Sequence, residues 1–283
     1  MNVEKHSAPH NQPSSKRRLF LLLLAFTFVT GYFIYTHAPV NPVCLIYFNK
    51  QDVPRVAHAG GGIDGITYTN SIEAMNLNYA RGFRYFEIDF NTTSDAEIVC
   101  VHDWTSFRKS GGKDDIEVPL DFDEFQHINE SVFEHKRCTL NTLADWFIEH
   151  TDAYLVTDVK DNNLETLEVV FESIPNSKRV VIPQIYAPNE YARVVAMGID
   201  RIIWTLYRSE LTEDQILQAL SKMNSVFAIT MPTAKAESSF PVKVLNSGIA
   251  VYAHTVNDTE EYKRLTQQNC VSEVYTDFLI PGH

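Results

Sequence analysis

Short β-rich runs alternate with amphipathic helical patterns along the chain from residue 53 onward. Eight runs have the composition of strands, at residues 55–58, 83–90, 154–158, 180–184, 201–206, 226–230, 249–254 and 273–277. Between them, helical spacing of apolar residues occurs at 70–81, 139–149, 164–173, 189–197, 212–222 and 258–268. Thr139, Thr212 and Asp258 are suited to cap their helices. This alternation predicts an α/β protein, a closed (β/α)₈ TIM barrel over residues 53–283.

The regular alternation is interrupted after the second strand. A further β-rich run at residues 97–102 follows too closely for a crossover helix, and Thr93-Ser94-Asp95 before it has turn chemistry, which predicts a hairpin. Residues 104–137 show no convincing periodicity. We therefore expect a small insertion, made of this hairpin and a long loop or lid, at the active face of the barrel.

An uncharged, largely apolar run at residues 19–36 directly follows the basic cluster Lys16-Arg17-Arg18. Its length predicts one transmembrane helix, and the basic cluster predicts a cytoplasmic N-terminus. The run is long for a signal peptide, so an uncleaved anchor is favoured over a cleaved leader. We expect a cytoplasmic tail (1–18), an anchor (19–36) and a stalk (37–52). The protein would be a single-pass membrane protein with an extracytoplasmic catalytic domain, either periplasmic or extracellular.

The charge and the cysteines limit the partners and the compartment. Lys and Arg total 24 against 36 Asp and Glu, which gives a formal net charge of −12. No long basic stripe follows Arg18, so a nucleic-acid partner is not expected. Four cysteines, Cys44, Cys100, Cys138 and Cys270, could pair outside the cytoplasm. A Cys100–Cys138 bridge would close the insertion, and buried free thiols are the alternative.

Two carboxylates and two histidines form the candidate site. Glu87 and Asp89 are alternate residues of a predicted strand, so both side chains point to one face and can bind one cation. Oxygen ligands suit Mg²⁺ or Ca²⁺. His102 ends the predicted hairpin and His58 ends the first strand. A cation beside two imidazoles provides charge neutralisation and proton transfer, which phosphate-ester cleavage requires.

Several short motifs occur along the predicted barrel in a fixed order. They are His58-Ala59-Gly60, Asn70-Ser71-Ile72-Glu73-Ala74, Glu87-x-Asp89, His102-Asp103, His254-Thr255-Val256-Asn257 and Tyr275-Thr276-Asp277-Phe278. In these motifs the chain resembles the glycerophosphodiester phosphodiesterase family, within a superfamily of barrel phosphodiesterases that includes phosphatidylinositol-specific phospholipase C. Ala59 stands where the family has arginine, and His254 where it has tryptophan. Both departures suggest a head group other than the commonest one.

The resemblance also implies a role for each candidate residue. The divalent cation, Mg²⁺ or Ca²⁺, would be bound by acids on two strands: Glu87, Asp89 and Asp158. The general acid and base would be two imidazoles: His58 and His102. The substrate would be bound by a lysine, a residue at a helix start, a turn glycine and a second-half histidine: Lys160, Asn70, Gly60 and His254.

The implied activity is hydrolysis of a glycerophosphodiester to an alcohol and glycerol phosphate. The partner would be a small phosphodiester or a lipid head group, with the membrane reached through the N-terminal anchor. Two alternatives stay open. A lyase of the phospholipase type would form a cyclic phosphate first, because a neighbouring hydroxyl attacks more readily than bulk water. A catalytically silent barrel would bind its ligand without turnover.

Overall fold

The structure, a computed structural model, describes residues 40–48, 53–114, 117–132 and 135–282. Its strands are β1 (Val56–Ala57), β2 (Tyr85–Thr92), β3 (Ile98–Val99), β4 (Tyr154–Val159), β5 (Val181–Ile185), β6 (Ile202–Thr205), β7 (Val226–Pro232), β8 (Ala250–His254) and β9 (Glu273–Thr276). All except β3 are parallel, and they close into an eight-stranded barrel because β1 pairs with both β2 and β9. The predicted (β/α)₈ barrel is confirmed.

One helix precedes the barrel, and the others lie between its successive strands. They are α1 (Pro42–Phe48), α2 (Ile72–Ala80), α3 (Trp104–Ser110), α4 (Phe122–Val132), α5 (Leu140–Glu149), α6 (Asn163–Ser173), α7 (Ser177–Val180), α8 (Tyr191–Ala196), α9 (Glu213–Leu220), α10 (Thr233–Ala236), α11 (Phe240–Leu245) and α12 (Thr259–Asn269). The three predicted caps are confirmed. Thr139, Thr212 and Asp258 each accept a hydrogen bond from a backbone N–H of the first turn, at the N-termini of α5, α9 and α12.

Alternation along each strand separates the barrel interior from its outer layer. On β2, Phe86, Ile88 and Phe90 belong to the core between the strands and the helices, whereas Tyr85, Glu87 and Asp89 face inward. The inward positions change from apolar to polar toward the carboxyl end of the barrel. The apolar layer consists of Val56, Tyr85, Val156, Ile182, Ile203, Ala228, Ala250, Tyr252 and Tyr275. One inward step further along several strands, the residues are polar, which places a hydrophilic site at the end where barrel enzymes carry their chemistry.

The insertion after β2 has more regular structure than the sequence indicated. The hairpin is confirmed, since β3 pairs antiparallel with the end of β2. The prediction that residues 104–137 form a long loop or lid without regular structure is wrong, because α3 and α4 form there. These short helices bury a small separate core that includes Trp104, Phe107, Leu120 and Phe125. A Cys100–Cys138 disulfide joins the two ends of the insertion, as one of the predicted alternatives had it.

The segment before the barrel contains α1, within the region predicted as a stalk. Cys44 of this helix forms a disulfide with Cys270, the C-terminal cap of α12. The predicted tail and membrane anchor, residues 1–18 and 19–36, lie outside the described residues. Within the described ranges, none of the helices is both long and apolar enough to cross a bilayer.

Candidate active site

Three carboxylates meet at the carboxyl end of the barrel. Asp89 of β2 and Asp158 of β4 are partners in the strand register, and Glu87 lies one inward position earlier on β2. One oxygen from each residue lies within 4.8 Å of the others. Glu87 Oε1 is buried without a hydrogen-bond partner among the described groups, which is costly unless something else satisfies it. This donor set fits a hard divalent cation.

Backbone and amide groups hold the two β2 carboxylates in place. The Ala59 N–H donates to Glu87 Oε2 at 2.7 Å. Asn70 donates through Nδ2 to Asp89 Oδ2 at 2.8 Å and accepts from the Asp89 N–H at 3.0 Å. Asn70 therefore differs from its predicted role in substrate binding. It is fully buried and contacts Asp89, so in the structure it positions a carboxylate.

Lys160 places a positive charge between two of the carboxylates. Its Nζ lies 2.6 Å from Asp89 Oδ1 and 2.8 Å from Asp158 Oδ2. Burial alone would lower the pKa of Lys160, but the charges of Asp89, Asp158 and Glu87 outweigh burial and hold it above its usual range. For Glu87, burial and the neighbouring charge of Asp89 raise the pKa. Lys160 therefore neutralises part of the negative charge of the carboxylates gathered at this end of the barrel.

His58 is oriented by a buried carboxylate. It begins the turn after β1, and its Nδ1 lies 3.0 Å from Asp277 Oδ1. Asn257 in turn donates to Asp277 Oδ2 at 2.7 Å. Burial would lower the pKa of His58, yet the hydrogen bond to Asp277 and the charges of Glu87, Asp277 and Asp89 raise it to about 9. With Nδ1 engaged, Nε2 is the ring nitrogen left to face the cleft.

His102 lies across the cleft from this pair, beyond the end of β3. Its Nδ1 lies 3.0 Å from Asp103 Oδ2, and its side chain is 41% exposed. The ring of Tyr68 stands between the two histidines, with centroids 4.7 Å from His58 and 4.6 Å from His102. The structure thus brings both predicted imidazoles to one cleft, linked by an aromatic side chain that the sequence analysis did not identify.

Two tyrosines and a third histidine complete the far wall. Tyr186 donates to Asp158 Oδ1, and Tyr207 donates to the same oxygen at 3.1 Å. His254 Nδ1 lies 2.9 Å from Thr230 Oγ1. Burial, followed by the positive charge of His58, lowers the pKa of His254 to about 4, so this imidazole is neutral near pH 7.

The cleft has a volume of about 350 Å³. Most of the predicted residues line it: His58, Glu87, His102, Asp158, Lys160 and His254. Gly60 does not, because it is buried and its carbonyl accepts a hydrogen bond from Asn78. Tyr207 and Arg208, directly after β6, also line the cleft. Their position after a barrel strand was the one available signal for them.

Comparison with known proteins identifies one protein family. The model of the "Glycerophosphoryl diester phosphodiesterase family" matches residues 58–280. No curated protein matches the chain at a significant level of sequence similarity.

Three solved structures of similar fold illustrate the relationship. A glycerophosphodiester phosphodiesterase from Thermotoga maritima has a TM-score of 0.62 at 20% identity, over 80% of this chain and 95% of that chain. One from Parabacteroides distasonis has a TM-score of 0.60 at 16% identity, over 79% and 92%. A phosphodiesterase from Oleispira antarctica, in complex with the product sn-glycerol-3-phosphate, has a TM-score of 0.59 at 16% identity, over 80% and 94%.

Proposed function

We propose a specific reaction from the premise that this chain belongs to the glycerophosphoryl diester phosphodiesterase family. Members of this family are phosphodiester hydrolases, so the predicted resemblance and enzyme class are confirmed. The proposed reaction is cation-dependent cleavage of a glycerophosphodiester to an alcohol and glycerol phosphate. The observation that carries it is that three carboxylates meet at the carboxyl end of the barrel, where two of them, Glu87 and Asp158, line one cleft together with both histidines.

The proposed cation ligands are Glu87, Asp89 and Asp158, and Mg²⁺ or Ca²⁺ suits their oxygen atoms. When bound, the cation supplies Lewis-acid polarisation of a phosphoryl oxygen. Lys160, which lies beside Asp89 and Asp158, would attract the phosphate with its positive charge. The chain has to supply charge locally in this way because its overall balance is −12, which repels an anionic substrate.

His58 and His102 are the proposed general acid and base. Both imidazoles use Nδ1 toward an aspartate, so Nε2 of each is available to the substrate. Asp277 keeps His58 in a fixed orientation, a positioning role that the sequence motif did not disclose. Two histidines on opposite sides of a phosphodiester can take separate roles: one accepts a proton from the attacking water while the other protonates the leaving alcohol.

Phosphorus NMR of the reaction tests this proposal and its alternatives together. The wild type and the His58→Ala and His102→Ala variants are incubated with Mg²⁺ or Ca²⁺ and a panel of glycerophosphodiesters that differ in head group. Direct hydrolysis converts the diester signal to a monoester signal without an intermediate cyclic phosphate. A cyclic phosphate signal that rises and then falls would show that the reaction follows the lyase route and not direct hydrolysis. Turnover of no diester by the wild type would leave the silent barrel as the better account.

We also propose a membrane location. Residues 19–36 would anchor the chain with the barrel outside the cytoplasm, and the two disulfides support an oxidising compartment. Protease added to intact cells, or to spheroplasts for a periplasmic domain, should digest the barrel. Full protection until the membrane is lysed would contradict this location.

A further inference from the structure

A second and larger cavity lies beside the catalytic cleft. Its volume is about 680 Å³, compared with about 350 Å³ for the cleft. One wall is the first loop, residues 66–69, and the other is α3 of the insertion. Tyr68 and His102 line both spaces. The two cavities are therefore neighbours that share an imidazole from the proposed acid and base pair.

The walls of this second cavity are mainly apolar. Val101 and Phe107 are buried in the small core of the insertion and still line the cavity. Across from them, Ile66 is 50% exposed and Tyr68 is 40% exposed. Large apolar side chains left open to water around one concavity are typical of a ligand site. Hydroxyl groups of Ser106 and Ser110 add polar contacts along α3.

The charged groups in the walls are engaged with the protein. Arg137 donates to the carbonyls of Tyr68 and Thr69, and its guanidinium lies over the Phe107 ring. Asp103 accepts from the Ser106 N–H at the start of α3 and contacts His102. His135 Nε2 lies 3.4 Å from Asp64 Oδ2, without a hydrogen bond between them. An occupant therefore meets hydrocarbon and hydroxyl groups more than charges that require a counter-ion.

We propose that this cavity binds a single acyl or alkyl chain carried by the glycerol of the substrate. The preferred substrate class would then be a monoacylated glycerophosphodiester, a lysophospholipid, with its phosphate in the cleft and its chain between the first loop and α3. This inference rests on the proposed function and deepens it. The cleft takes the phosphate and the small glycerol, and the apolar cavity next to His102 is what a deacylated substrate would leave empty.

Binding of product analogues tests the inference without assuming a head group. The probes are glycerol 3-phosphate and 1-alkyl-glycerol 3-phosphates with chains of two, four, six and eight carbons, measured by calorimetry with Mg²⁺ or Ca²⁺ and below their micelle concentrations. Burying a methylene corresponds to about fourfold in affinity, so Kd should fall at least tenfold along the series. A Kd that is independent of chain length would overturn the inference while leaving the proposed function in place. No binding by any probe, glycerol 3-phosphate included, would remove both.

A matched pair of variants on α3 shows where the chain binds. Ser110 is exposed and lines the cavity, whereas Lys109 is exposed on the same helix and does not line it. Ser110→Trp should fill the cavity and reduce the gain in affinity along the series to less than threefold. Lys109→Trp should retain the full gain. Thermal unfolding of both variants checks that they are folded. A gain that persists in folded Ser110→Trp would place the chain elsewhere and overturn the inference.

Discussion

The contact between His58 and Asp277 makes a quantitative prediction for the protein freed of divalent cations by a chelator. In the folded chain the pKa of His58 is raised from 6.5 to about 9. One pKa unit corresponds to about 1.4 kcal/mol, so protonated His58 stabilises the fold by about 3 kcal/mol. Because the pKa is raised, this stabilisation is complete below pH 6.5 and disappears as the pH rises through about 9.

The test is Asp277→Asn, which keeps the shape of the side chain and removes its charge. Glu87 and Asp89 remain beside His58, so only part of the stabilisation should be lost, on the order of 1–3 kcal/mol at pH 6. The loss should shrink toward zero near pH 10, where His58 is neutral in either protein. NMR titration of His58 should show its pKa falling by about 1–2 units in the variant.

Urea unfolding at pH 6 and pH 10 measures the difference in free energy of unfolding. Exposed Asp200 provides a matched control, since Asp200→Asn should have no comparable pH-dependent effect. Equal destabilisation by Asp277→Asn at both pH values would show that protonated His58 does not stabilise the fold. A wild-type His58 that titrates near 6.5 in the chelated protein would show the same.

Three further predictions concern the cation, the lysine and the insertion. Mg²⁺ or Ca²⁺ at a hundred times its Kd should raise the free energy of unfolding by about 2.7 kcal/mol, roughly 5–10 °C in Tm, and Asp89→Asn should cancel the gain in a thermal-shift assay. Lys160→Met should tighten cation binding, measured by calorimetry, because the ammonium of Lys160 contacts two of the proposed ligands. Turnover by this variant should fall. Unchanged or weaker cation binding would contradict the prediction. Replacing Cys100 and Cys138 by serine removes a disulfide between residues 38 positions apart. The free energy of unfolding, measured with urea under non-reducing conditions, should fall by about 4 kcal/mol. A decrease below about 1 kcal/mol would exclude a stabilising role for this disulfide.

The barrel could be predicted because its signal is repeated. Each strand supplies a short β-rich run, and most connecting helices supply a helical pattern, although α10 and α11 between β7 and β8 were not predicted. Caps such as Thr139 and Thr212 mark helix starts chemically. The insertion gave no such signal. Helix α3 has only seven residues and is followed by its C-terminal cap, Gly111. Its apolar face therefore comprises little more than Trp104 and Phe107. Those rings are buried by Phe125 of α4, a contact that only tertiary structure creates.

The candidate site was predictable to the extent that its residues lie on strands or in ordered motifs. Glu87 and Asp89 share a face because strand side chains alternate, and the register brings Asp158 beside them. Loop residues were harder. Tyr68 and Asn70 have left-handed backbones, with φ of 58° and 46°, which sequence spacing does not reveal. This local geometry determines that Asn70 meets Asp89 and that Tyr68 lies between the histidines.

Glu87, Asp89 and Asp158 are proposed to hold a divalent cation on which phosphodiester cleavage depends. The most direct measurement is the initial rate of glycerol phosphate release from the preferred glycerophosphodiester, in chelated protein titrated with Mg²⁺ or Ca²⁺. We expect negligible release without cation, saturable recovery in the wild type, and no recovery in Glu87→Gln at any cation concentration. An undiminished rate in excess chelator, or full activity in Glu87→Gln, would contradict it.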